Sequence, residues 1–189
     1  MPLRGAALWA VLALGAPGGA GAEVVDAIRW RSYPVPVLEG RSLRSALNAA
    51  SPVRRGGETY HAYTRWNLRW ELRWFEERGG RCSLTSVRTT LDAEVLLPEV
   101  GPAGVRAWPA WPAYAAALRV HEQGHLELGR AAAHRVDRRI ADLAPAVSCA
   151  LLESRANEIG REELESARRD ESAYDRETGH GRTQGAWLH

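Results

Sequence analysis

The chain has 189 residues, 45% hydrophobic and 25% charged, the make-up of an ordinary globular protein of one domain or two at most. This excludes a mainly disordered chain, a collagen and a multi-span membrane protein. The 25 basic and 23 acidic residues leave a formal charge of +2, too even for the basic stripe of a nucleic-acid binder, so no nucleic-acid partner is expected.

The first segment reads as an address. Arg4 precedes an apolar run from Ala6 to Leu14, and Ala20-Gly21-Ala22 has the form of a cleavage site. The run is far shorter than the ~20 residues that cross a bilayer. Residues 1–22 are therefore expected to be a signal peptide and residues 23–189 a single domain. The protein would be periplasmic or secreted, with no stable membrane insertion after cleavage. In an exported chain the two cysteines, Cys82 and Cys149, are expected to pair. Such a link would stabilise by ~3–4 kcal/mol in the chain-entropy model.

Val24 to Val37 is β-rich but carries Pro34 and Pro36, which limit it to an edge strand or extended arm. Gly40 to Ser51 suits a short helix capped by Ser42 and stopped by Pro52. Arg54 to Gly57 is a turn. From Tyr60 to Phe75 apolar and polar residues alternate. Thr64, Trp66, Leu68, Trp70, Leu72 and Trp74 fall on one face; Arg65, Asn67, Arg69, Glu71 and Arg73 fall on the other. Glu76 to Arg81 would connect this strand to a partner from Cys82 to Leu97, and Pro98 to Gly104 reads as a loop. The period then changes to that of a helix, from Pro112 to about Leu143. A second, Glu- and Arg-rich helix follows from about Ser148 to Ser172. Residues 174–189 read as a loop tail.

The first long helix contains His121-Glu122-Gln123-Gly124-His125, an HExxH. Residues i and i+4 share one helical face, so both imidazoles can reach one Zn²⁺, and Glu122 stands beside them as a candidate general base. A small residue at Gly124 would leave room for metal or substrate. A third ligand is needed. Ala131 stands where the extended HExxHxxGxxH pattern has its third histidine, so the donor comes from elsewhere. His180, between Gly179 and Gly181, is the leading candidate. Asp175 is an alternative ligand or a partner that orients a histidine, and Glu158 on the second helix is a third possibility. His61, His134 and His189 read as ordinary histidines. Trp66, Trp70 and Trp74 read as a core face, with a saccharide platform as the rival.

Three segments read together carry a resemblance: Trp66-Asn67-Leu68-Arg69-Trp70; His121 to His125; and Tyr174-Asp175 followed by Thr178, His180-Gly181 and Gln184-Gly185-Ala186. The chain resembles a bacterial family of secreted proteins of unknown function that are predicted to be zinc-dependent, zincin-like proteases. The resemblance covers about Tyr33 to Leu188, and its cysteine positions support the Cys82–Cys149 pair. It implies an α+β zincin-like fold, with a twisted antiparallel sheet on the HExxH helix and the tail closing one side. The implied activity is zinc-dependent hydrolysis of peptide bonds in a peptide or protein substrate. His121, His125 and His180 would hold the metal, Glu122 would be the base, and Tyr174 a candidate oxyanion donor. The rival is a non-catalytic zinc-binding envelope protein acting in structure or partner interaction.

Overall fold

The computed structural model describes residues 21–188. Met1 to Ala20, which hold most of the expected signal peptide, lie outside the described residues. Gly21 and Ala22, the end of the expected cleavage signal, already belong to the first strand.

The fold is α+β. Strand β1 (Gly21–Pro34) is followed by helix α1 (Leu43–Ala50) and a hairpin of β2 (Val53–Arg55) and β3 (Glu58–Tyr60). Two long strands come next, β4 (Tyr63–Glu76) and β5 (Cys82–Glu99). Helices α2 (Pro102–Ala107), α3 (Trp111–Ala141) and α4 (Cys149–Thr178) complete the chain, before a 3-10 turn at Arg182–Gln184.

The main sheet has the order β1-β5-β4. β4 and β5 form the expected antiparallel hairpin, but β1 lies parallel to β5. The sheet is therefore mixed, not antiparallel. Alternation of side chains sets which face is buried and is the same for either strand direction. The direction of β1 follows from the long path through α1 and the small hairpin before β4. β1 pairs on one side only, an edge position that suits Pro34 at its end and Pro36 just beyond it.

Leu68, Val87, Leu91 and Ala93 of the sheet pack with Leu126, Ala132, Ala133, Val136 and Ile140 of α3 and Ala156 and Ala167 of α4. Inside this layer Thr89 donates to the buried Asp137 carboxylate at 3.0 Å. Trp66 and Trp70 lie under α4. Their indole N–H groups donate to Glu171 and Asn157, each at 2.9 Å. Their rings fill the space that a side chain at Gly129 or Gly160 would occupy. These two rings are not a saccharide platform. Trp74 falls after a bulge and is 40% exposed.

Other differences from the sequence expectation are local. The long strand expected from Tyr60 is interrupted at His61–Ala62, leaving Tyr60 in β3. Pro98 to Gly104 is not all loop, because Pro102 opens α2, at a position where its missing N–H costs nothing. The larger difference is α4, which runs on to Thr178 and carries Tyr174 and Asp175 as helical residues, not as part of a tail. Ser42 caps α1 by accepting from the Ser45 N–H, as expected. Cys82 and Cys149 form a disulfide that ties the start of β5 to the start of α4. Among the described residues no helix is long and apolar enough to cross a membrane.

Candidate metal centre

Helix α3 presents His121 and His125 one turn apart, both buried, with Glu122 buried beside them. Helix α4 crosses α3 and brings Asp175 to the same point. The Nε2 atoms of the two histidines are 3.3 Å apart, and Asp175 Oδ1 is 3.1 Å from His125 Nε2 and 3.4 Å from His121 Nε2. These three residues form a compact group of donors able to hold a metal ion. A tetrahedral zinc ion with bonds of ~2.0–2.1 Å separates its ligand atoms by about 3.3–3.4 Å. The donor set of two imidazoles and a carboxylate, at these spacings, fits zinc.

The third member of the group is Asp175, the alternative in the sequence reading. His180 stands one step further out. Its Nδ1 is 3.3 Å from Asp175 Oδ1, and its side chain is 58% exposed. It follows the helix end at Gly179 and is the sole non-glycine residue with positive φ among the described residues, at 53°. A backbone of that kind costs ~1–2 kcal/mol in an L-residue. Glu158 is exposed and lies seventeen residues before Asp175 on α4, about 25 Å away along the axis. It takes no part in the site.

Each histidine uses its other nitrogen for a protein partner. His121 Nδ1 faces Gln184 Oε1 at 3.0 Å, and His125 Nδ1 faces Glu171 Oε1 at 3.2 Å. These contacts hold the rings with Nε2 turned toward Asp175. Burial pulls the His121 pKa down, helped by the neighbouring His125. Burial also opposes the charged form of His125, but Glu171, Asp175 and Glu122 outweigh it and leave the pKa raised.

Glu122 Oε2 accepts from Thr64 Oγ1 at 2.8 Å, and the same hydroxyl lies 3.0 Å from the Glu122 carbonyl. Burial pushes the Glu122 carboxyl up to about 7, against the opposing pull of Thr64 and His125. A base is most effective when its pKa lies near the working pH. Thr64, Glu171 and Gln184 are the site residues whose roles the sequence reading missed. Two signals were legible: a lone threonine within an aromatic stripe, and Gln184 within the segment that carries the resemblance.

Tyr174 is placed differently from expectation. Its ring stacks on His121, with centroids 5.2 Å apart and planes at 11°, and meets His125 edge-on. Its hydroxyl donates to the His121 carbonyl at 3.2 Å and accepts from Gln184 Nε2 at 2.9 Å. The phenol is thus engaged in holding His121. The room left by Gly124 belongs to this ring and to neither metal nor substrate, since a Cβ there would fall 2.0 Å from the Tyr174 oxygen.

The segment after α4 locks this arrangement. Thr178 Oγ1 donates to the Tyr174 carbonyl and accepts from the Gly181 N–H. At Gly181, with φ of 83°, a Cβ would come within 3.1 Å of the His121 ring. His134 is exposed. His61 is enclosed between Tyr114, 2.6 Å from its Nδ1, and Asn48, 2.7 Å from its Nε2. His189 is outside the described residues.

The side chains of Asp175 and Glu171 on α4 are about one-third exposed, at 32% and 29%, so that side of the site reaches solvent, while His121 and His125 of α3 are buried. Among curated proteins and among solved structures, no significant match was found. Residues 30–181 match the family described as "Bacterial protein of unknown function (DUF922)", a span that includes the main sheet from Trp30, all of α3 and α4, and His180. The chain belongs to that family of bacterial proteins of unknown function.

Proposed function

We propose that the protein is a zinc-dependent peptidase of zincin-like type, exported to the periplasm or beyond. The observation that carries this reading is the triangle of His121 Nε2, His125 Nε2 and Asp175 Oδ1, with sides of 3.1–3.4 Å, beside a buried carboxylate. Three protein donors leave one tetrahedral position open, as catalysis requires. Zinc in such a site supplies a Lewis acid and makes water more acidic. Glu122 takes a proton from the attacking water and returns it to the leaving amine. Thr64 holds the Glu122 carboxylate in place for both transfers. Gln184, Tyr174 and Glu171 keep the two imidazoles aimed. The disulfide and the leader-like first segment support export.

Zinc content by elemental analysis and cleavage of a fluorogenic peptide library test the reading. About one zinc per chain and zinc-dependent cleavage are expected. Glu122→Gln should keep the zinc and lose ~10²–10⁴-fold in rate. Normal turnover by that variant would overturn the assignment of the base.

His180 is the observation that favours the rival, a structural zinc site in an envelope protein. Its Nδ1 contacts Asp175, and a fourth donor would close the sphere. Loss of zinc from His180→Ala as complete as from Asp175→Ala would favour that reading.

A further inference from the structure

The aromatic face of β4 has a partner in the site. Trp66 Nε1–H donates to Glu171 Oε1 at 2.9 Å, and the same oxygen lies 3.2 Å from His125 Nδ1. One carboxylate oxygen therefore collects an indole N–H from the sheet and an imidazole N–H from α3. The indole can lie this close because residue 129, one turn beyond His125, is glycine. A Cβ there would come within 3.0 Å of the Trp66 ring. His121, by contrast, is held by the neutral amide of Gln184.

We propose that Trp66 and Glu171 form a positioning relay through which the sheet sets the metal affinity of His125. The proposal rests on the metal reading above and adds to it Trp66, acting through Glu171 on the metal affinity of His125. Glu171 holds His125 Nδ1–H, which leaves the Nε2 lone pair facing Asp175, and its negative charge makes that imidazole a stronger donor. Trp66 acts one bond further out. Its N–H fixes the position of the Glu171 oxygen, which otherwise sits on a partly exposed and rotatable side chain. Neither residue touches the reacting atoms. The tryptophan stripe of the sequence thus has two functions on one face, since Trp70 makes the equivalent indole bond to Asn157, away from the histidines.

The relay makes a prediction that a packing role does not. Zinc dissociation constants are measured on the intact mature chain by competition with a chromophoric chelator, with folding checked by circular dichroism. Glu171→Ala should weaken zinc binding by about 10–100-fold. Trp66→Phe keeps an aromatic ring against Gly129 and removes the N–H; it should weaken zinc binding by about 3–10-fold, the worth of one hydrogen bond. In the double variant Trp66→Phe with Glu171→Ala, the tryptophan change should have no further effect on zinc, because Trp66 acts only through Glu171. An equal loss from Trp66→Phe in both backgrounds would overturn the relay and make Trp66 a packing residue. Unchanged zinc affinity of Glu171→Ala would overturn it without touching the metal reading. A wild-type chain that takes up no zinc would overturn the metal reading itself.

Discussion

Gly124→Ala tests the contact between the two long helices at the site. In an ordinary helix interior this change stabilises by up to ~1 kcal/mol, because alanine is the better helix former. Here the added Cβ would lie 2.0 Å from the Tyr174 oxygen and 2.2 Å from its Cζ. Both distances are far inside van der Waals contact. The ring has little freedom to retreat, with His121 on one face and His125 at its edge. Overpacking of this kind costs ~1–3 kcal/mol. Displacing the phenol also breaks its hydrogen bonds to the His121 carbonyl and Gln184, worth ~1 kcal/mol each. Set against the helix gain, the net loss should be about 3 kcal/mol. For a domain of this size that lowers Tm by about 6–12 °C. Thermal melts of the zinc-free chain, followed by circular dichroism, measure it. The control is the same change in a Tyr174→Ala background. With the ring gone, the sign should reverse and Gly124→Ala should stabilise by up to ~1 kcal/mol. A single Gly124→Ala variant as stable as wild type would refute the argument, because the ring would then not need the space.

Asp175→Ala should reduce zinc binding far more than Glu158→Ala, which should leave it unchanged; equal zinc content in the two variants would remove Asp175 from the site. Burial, aided by Arg44 and Arg54, pulls the His61 pKa down to about 4. Between pH ~6.5 and ~4 the unfolded chain then binds a proton that the folded chain refuses, so stability is complete above ~6.5 and falls as pH drops through this window. Allowing for partial exposure, the loss is about 2 kcal/mol, and His61→Gln should flatten that part of a Tm-against-pH curve; an unchanged slope would show that other groups cause it. Non-reducing peptide mapping should find Cys82 joined to Cys149, and replacing both by serine should cost about 4 kcal/mol in the chain-entropy model; two free thiols in exported protein would contradict the pairing.

The sequence by itself determined the long elements and half of the site. Strict alternation placed β4 and β5, and helical periodicity placed α3 with its two histidines on one face. Those signals are local, since backbone geometry alone decides which residues of one strand or helix point the same way. The even cysteine pair pointed to the disulfide for a chemical reason that needs no coordinates. Strand direction was another matter. β1 reads the same whether it runs parallel or antiparallel to β5, and only the path of the chain between them decided it. The end of α4 was hidden for a related reason. Its inward positions Ala167, Glu171, Tyr174 and Thr178 keep the helical spacing of four, three and four, yet three of them are polar or aromatic side chains that serve the site. Apolar periodicity therefore ends near Ser172, and by that signal alone Asp175 falls in a tail. The choice between Asp175 and His180 as the closest third donor depended on where that helix ended and how it crossed α3. Thr64, Glu171 and Gln184 come from three separate segments, and only their meeting around Glu122, His125 and His121 gives them a role.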